Sequence, residues 1–273
     1  IMPRRIKLVL EYDGTDFHGW QLQVEQPGVP PVRTVQGELE QALARLTGAA
    51  VAVAGASRTD AGVHAAGQVA SFDLPDEWRL PVARLPQALN ALLPPDASVI
   101  SAEEVPSDFH ARFSARGKLY RYAILERFAR SARLLRTHWH VRQPLDVEAM
   151  RRAAACLVGV HDFAALGSEL GRARAQGATG GGASASTVRE VCLAELTVRR
   201  PGESEGVHVP SAGADQGGRE ILVWLAASGF LYKMVRTAVG SLVEVGRGAR
   251  PAEWLAEALA SRDRRRAGPT APA

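Results

Sequence analysis

The order in which apolar periodicities follow one another limits the fold of this chain more than any single motif does. Residues Ile6–Tyr12 alternate apolar and polar positions, as a strand with one buried face does. Thr34 then precedes a helical pattern with Val35, Leu39, Leu43 and Leu46 on one side, closed by Gly48. Strands are expected at Ala50–Gly55 and Gly67–Asp73, a helix at Leu85–Leu93 between prolines, and a strand at Ala97–Val105. The second half repeats this β-α-β-β-α-β order. A strand at Gly117–Leu125 leads to a helix capped by Asp146 and carrying Val147, Met150, Ala154 and Leu157. Strands at Thr187–Val198 and Glu220–Ala227 precede a long apolar helix, Phe230–Val245, and Pro251 starts a short one with Trp254, Leu255 and Leu259.

Two copies of a split β-α-β arrangement point to an α+β protein of two ferredoxin-like domains, residues 1–108 and 109–273. Their sheets are expected to join into one extended, mainly antiparallel sheet. The sequence ends at Gly268–Ala273 before a last strand of the second copy would come, so that copy is expected to lack its final strand. Gly167–Ser186, rich in Gly, Ala and Ser, and Pro201–Gly218 read as long mobile loops.

At 273 residues the chain can bury a core without disulfides. Cys156 and Cys192 sit in apolar surroundings without metal-ligand spacing and read as small core residues in a reducing compartment. No signal peptide or membrane-spanning apolar run is evident, so a cytoplasmic protein with no membrane or metal partner is expected. Net charge is only +4, but from Arg112 to Arg142 nine basic residues stand against one acid, Glu126. A charge run of this kind is as often a solvated face as a binding surface. Here Phe113, Tyr120, Tyr122, Phe128 and Trp139 are interleaved with it, which favours single-stranded or looped RNA, whose bases stack on rings while cations hold the backbone.

The densest polar cluster lies between two expected strands, on the loop Gly55-Ala-Ser-Arg-Thr-Asp-Ala-Gly-Val-His-Ala65. A loop aspartate usually serves its own turn. Around Asp60, however, stand Arg58, the Thr59 hydroxyl and His64, on a loop whose glycines permit close approach to a ligand, and such a carboxylate is a candidate nucleophile or base. Farther on, Arg236 lies among Val235, Val239, Leu242 and Val243 of an apolar helix. Its guanidinium either faces solvent or is buried against a carboxylate, because unpaired burial would cost several kcal/mol. If it is buried, Asp60 is the partner expected.

Six segments together resemble the tRNA pseudouridine synthase A family: Tyr12-Asp-Gly-Thr-Asp-Phe-His-Gly-Trp-Gln21, Gly55–Ala65, Phe109–Ala115 with Lys118-Leu-Tyr-Arg-Tyr122, His161-Asp-Phe163, Gly229-Phe-Leu-Tyr-Lys-Met-Val-Arg236 and Ala267–Ala273. The resemblance implies an isomerase that breaks the uridine N-glycosidic bond, turns the uracil and rejoins it through C5, with no cofactor and no metal. Its substrate would be the tRNA anticodon stem-loop, at uridines 38, 39 and 40, and the enzyme would be a homodimer. Asp60 matches the catalytic nucleophile, Tyr120 the tyrosine that packs on the uracil and assists proton transfer, and Arg236 the basic partner of the aspartate. Arg58 is expected to displace the target base and, with Thr59, His64 and Arg121, to contact RNA; His64 reads equally as a structural histidine. Ser57 stands where many members have Gly, which matters only if that backbone needs positive φ. An RNA-binding module without chemistry is the rival reading.

Overall fold

The computed structural model describes residues 4–23, 30–75, 78–168, 186–201 and 218–273. Most of the two loops expected at Gly167–Ser186 and Pro201–Gly218 lies outside the described residues. The chain divides into two compact units, residues 1–115 with Ala273, and residues 116–272.

In the first unit β1 (Arg4–Tyr12) lies between β3 (Ala65–Leu74) and β4 (Ala97–Glu104), with β2 (Ala54–Gly55) beyond β3. The order is β2-β3-β1-β4 and every neighbour is antiparallel. The register follows from burial. Ile6, Leu8, Leu10 and Tyr12 turn one face of β1 inward and are almost fully buried. At about 2 kcal/mol for each buried side chain, a one-residue slip would expose the whole set. Helix α1 (Val35–Thr47) packs Val35, Leu39, Ala42 and Leu43 on that face, and α2 (Leu85–Asn90) adds Leu85 and Leu89. The Thr34 side chain accepts from the Gly37 N–H (3.2 Å), and Gly48 ends the helix in the left-handed region at φ 75°. The strand expected at Ala50–Gly55 shrinks to two residues, because Gln36 and Glu40 of α1 take the Val53 carbonyl and N–H instead.

The second unit builds its sheet from β5 (Lys118–Glu126), β6 (Trp139–Val141), β7 (Gly159–Asp162), β8 (Val188–Arg199) and β9 (Arg219–Ala227), in the order β6-β5-β9-β8-β7. One face is covered by α3 (Val147–Ala155) and α4 (Met234–Gly246), with α5 (Trp254–Ser261) packed beside them. Ile124, Val223, Leu225, Met150, Phe163, Val239 and Leu242 form the centre of this second core.

Among the described residues the strands form two sheets, of four and of five strands, rather than one joined sheet, because every ladder pairs strands of the same half of the chain. At the outer edge of β5, where a last strand of the second copy would pair, β6 runs parallel along Ile124–Glu126. Helix α4 begins four residues later than expected, at Met234, because Lys233 turns left-handed at φ 63°. Cys192 is exposed rather than buried: the register shift between Val191 and Leu193 takes it out of the inward alternation. Among the described residues no helix is long and apolar enough to cross a membrane.

One ion pair ties the open end of the first unit together. Arg33 donates from Nη1 and Nη2 to the two carboxylate oxygens of Asp96 (2.7 Å each) and from Nε to Glu38 (2.9 Å). Its guanidinium carbon also lies 4.1 Å from the centroid of the Phe17 ring. These hydrogen bonds from Arg33 hold the Asp96 carboxyl below the usual range, against the opposing effect of burial. A carboxylate with a lowered folded pKa contributes stability above its unfolded value, near pH 4, and loses it as pH falls through the folded value. The stability gap between the wild type and Asp96→Asn should thus be constant from about pH 7 to 5 and narrow below about pH 4. Urea titrations at stepped pH measure it, and a gap unchanged down to pH 3 would refute the pairing.

Candidate active site

Asp60 sits on the loop that leaves β2 at Gly55 and enters β3 at Ala65. Residues 12–20, which follow β1, clamp this loop. The Trp20 N–H donates to the Thr59 carbonyl (3.1 Å), the Gly62 N–H to the Phe17 carbonyl (3.3 Å), and the Tyr12 and Thr59 hydroxyls are 2.9 Å apart. From the strand side, the Gln68 amide donates to the Ser57 carbonyl (2.7 Å). The clamp depends on missing side chains. A Cβ at Gly14 would lie 2.1 Å from the Val63 carbonyl oxygen, one at Gly19 2.6 Å from the Thr59 carbonyl oxygen, and one at Gly55 2.4 Å from the Trp20 indole. Gly19 also has φ +88°.

Within this loop Asp60 is half-buried, and its carbonyl accepts from the Val63 N–H (3.1 Å). Arg58 projects into solvent and has no side-chain partner among the described residues. Thr59 is committed to Tyr12 through its hydroxyl, so Tyr12 does more than pack in the sheet. His64 is built into the clamp: its Nδ1 accepts from the Gly14 N–H (3.2 Å) and lies 3.1 Å from Asp13 Oδ1. Ser57 does not take positive φ, so serine costs nothing there.

In the second unit Tyr120 stands on β5 facing the helices, and its half-buried ring meets Phe230 edge-on with centroids 5.1 Å apart. Tyr122, two residues on, shares that face. Arg236 occupies the first turn of α4, where aligned peptide dipoles place partial positive charge and a guanidinium needs acceptors. One is the Ala271 carbonyl, which accepts from its Nε (2.8 Å), while the Ala271 N–H returns a bond to the Arg236 carbonyl (3.0 Å). The segment Gly268–Pro272 thus runs along α4. It fits because a Cβ at Gly240 would lie 1.8 Å from the Pro269 carbonyl oxygen. Sequence reasoning missed this contact, although the small residues Gly240-Ser241 on one side and Gly268 on the other were its signal.

Arg121 points to the opposite face of the sheet from Tyr120, with its guanidinium carbon 5.8 Å from the Trp224 ring centroid. The run from Arg112 to Arg142 is therefore no single stripe. Arg127 is spent on the carbonyls of Ala129 and Arg130, and Arg130, Arg133 and Arg142 lie exposed beyond the far end of β5 from Tyr120. Asp60, Arg58, Thr59 and His64 belong to the first unit; Tyr120, Arg121 and Arg236 belong to the second.

The clamp carries its own test. Gly19→Ala combines an unfavourable φ with a collision against main chain and should destabilise the protein by about 3 kcal/mol. Guanidinium chloride unfolding would read this, and a loss below about 1 kcal/mol would mean that the clamp yields.

With this geometry in view, the comparisons with known proteins are specific. A family model described as tRNA pseudouridine synthase matches residues 8–114 and 153–273. A protein of Myxococcus xanthus called tRNA pseudouridine synthase A is 46% identical over 271 residues, covering 99% of this chain and 88% of its own. Proteins of the same name from Moorella thermoacetica and Halalkalibacterium halodurans are 44% and 41% identical, covering 98% of this chain each and 95% and 89% of their own. The matched segments include both the clamped Asp60 loop and the helix that bears Arg236, and the chain belongs to the tRNA pseudouridine synthase family.

Proposed function

We propose that this protein isomerises uridine to pseudouridine in tRNA, at positions 38, 39 and 40 of the anticodon stem-loop, with Asp60 as nucleophile. The observation that carries the reading is Asp60 itself, held on a loop that main-chain bonds and three side-chain-free contacts fix in place, within a chain 46% identical to a tRNA pseudouridine synthase A. In the reaction the bond between uracil N1 and the ribose C1′ breaks, a bond from C5 to C1′ forms, the C5 proton leaves to water and N1 gains a proton. A carboxylate can attack either the sugar or the uracil ring to open this sequence. A base within a stem must first be flipped out, which costs a few kcal/mol that stacking and backbone contacts have to repay.

Tyr120 is the stacking ring and assists loss of the C5 proton; its edge-on contact with Phe230 supports the fixed orientation this requires. Arg236 pairs with Asp60 and keeps it ionised. Arg58, exposed and uncommitted among the described residues, contacts RNA and helps displace the base. Thr59 and His64 serve by holding the loop, and Arg121, across the sheet from Tyr120, is not part of this set. The order β2-β3-β1-β4 with antiparallel neighbours supports a ferredoxin-like first domain, residues 1–108, and the β5, β8 and β9 arrangement a related second one, residues 109–273. The enzyme works in the cytoplasm as a homodimer and needs neither cofactor nor metal.

Purified protein incubated with chelator and tRNA tritiated at uracil C5 should release tritium to water, and Asp60→Ala should bind tRNA but release none. Tight binding without release by the wild type would leave an RNA-binding module. In salt titrations of tRNA affinity, Arg58→Ala should weaken binding and reduce the slope by about one unit, with Arg121→Ala leaving it unchanged. The reverse pattern would move the RNA to the other face of the second sheet.

A further inference from the structure

The second unit contains a hydroxyl that packing does not account for. Tyr122 lies half-buried on β5, edge-on to Trp139 with centroids 6.3 Å apart, and its phenol donates to the carbonyl of Pro272 (2.8 Å). The adjacent carbonyl, that of Ala271, is the one that accepts from Arg236 Nε. Two neighbouring carbonyls are thus taken by the phenol and the guanidinium. Proline locks φ, so ψ of Pro272 is the one soft dihedral between them, and holding one carbonyl restricts the other to the arc that this dihedral allows.

The rest of the segment leads into this point. The Gly268 N–H donates to Ser241 Oγ (2.9 Å), Ser241 Oγ donates to the Thr237 carbonyl (2.8 Å), and the Thr237 and Thr270 hydroxyls are 3.3 Å apart. Ala271 is buried, and its N–H is bonded to Arg236. These bonds anchor the segment to α4, while Tyr122 anchors it to the sheet. Because the Arg236 bond uses Nε, it also sets the plane in which the two Nη groups lie, and that plane decides which carboxylate they can meet.

We propose that Tyr122 is a positioning residue for Arg236: by holding the Pro272 carbonyl it fixes the Ala271 carbonyl that orients the guanidinium. This rests on the reading of Arg236 as the partner of Asp60 in the proposed reaction. The phenol is suited to the task because it stays neutral. Burial pushes its ionisation well above the ordinary tyrosine value, and the opposing influence of the Arg236 charge is the smaller one. A neutral phenol donates to the carbonyl; a phenolate would compete for the guanidinium.

Tyr122→Phe removes the hydroxyl and keeps the ring. In the tritium-release assay with the full chain, kcat should fall about tenfold, which is about 1.4 kcal/mol, while KM for tRNA stays within about twofold. In an Arg236→Lys background the same substitution should add less than about twofold, since its effect passes through the guanidinium. Thr197→Val removes the hydroxyl that accepts from the Trp224 indole N–H (3.3 Å) on the other face of the same sheet, and should leave kcat near that of the wild type. A Tyr122→Phe kcat matching the wild type, a full tenfold loss repeated in Arg236→Lys, or an equal loss in Thr197→Val would each overturn the proposal. Absence of tritium release by the wild type would instead overturn the proposed function, and this inference with it.

Discussion

The loop that carries Asp60 is held chiefly by main-chain contact with residues 14–20 of the first unit. Residues 14, 19 and 55 approach the Val63 carbonyl, the Thr59 carbonyl and the Trp20 indole at distances no Cβ would allow. Side-chain clamps would have been softer, since each adds rotamer freedom that must be frozen. Gly14 and Gly19 let backbone rest on backbone, Gly55 lets it rest on the rigid Trp20 indole, and the bonds from Trp20 and Gly62 complete the contact. The remainder of the unit serves the same contact. The register of β1 delivers Tyr12 to Thr59, and Arg33 ties Asp96, Glu38 and the Phe17 ring so that residues 13–20 cannot lift away.

The second unit solves a related problem with the same means. Arg236 would be poorly placed in the first turn of a helix without acceptors, and the segment Gly268–Pro272 supplies them only because Gly240 and Gly268 allow it to lie against α4. The left-handed Lys233 costs about 1 kcal/mol or more as a non-glycine residue, and it sets where α4 begins and hence which turn Arg236 occupies. Strain before the helix and tight contact along it are two parts of one arrangement.

How much of this could be read from the sequence depends on the range of the interaction. Helix α1 was legible to the residue, because its cap, its apolar stripe and its closing glycine are local signals. The central strands were legible within a residue or two, because alternation reports burial. What local pattern could not give was pairing decided elsewhere: β2 loses its length to Gln36 and Glu40 of α1, and β6, only three residues long, carries too little periodicity to be seen. The same holds at the site. The motif loop singled out Asp60 and Arg58, but the partners of Thr59 and His64 lie about fifty residues away in sequence, and the carbonyl that Tyr122 meets lies 150 residues away, beyond the reach of any local pattern.

The arginines show why composition alone misleads about binding. Counted together, the basic residues from Arg112 to Arg142 suggest one surface for phosphate. Sorted by their bonds, the arginines of the run and of the rest of the chain separate. Arg127 within the run, and Arg33 and Arg236 outside it, each hold carboxylates or main-chain carbonyls and act as structural fasteners. Arg58, Arg133 and Arg142 have no side-chain partner among the described residues and keep their donors for something outside the chain. A guanidinium already bonded to its own protein must break those bonds before it can neutralise a phosphate, so its net contribution to RNA affinity is small even where it is near the surface. The committed arginines serve the geometry of the fold, whereas Arg58, two residues from Asp60 on the clamped loop, stays exposed with its donors uncommitted among the described residues.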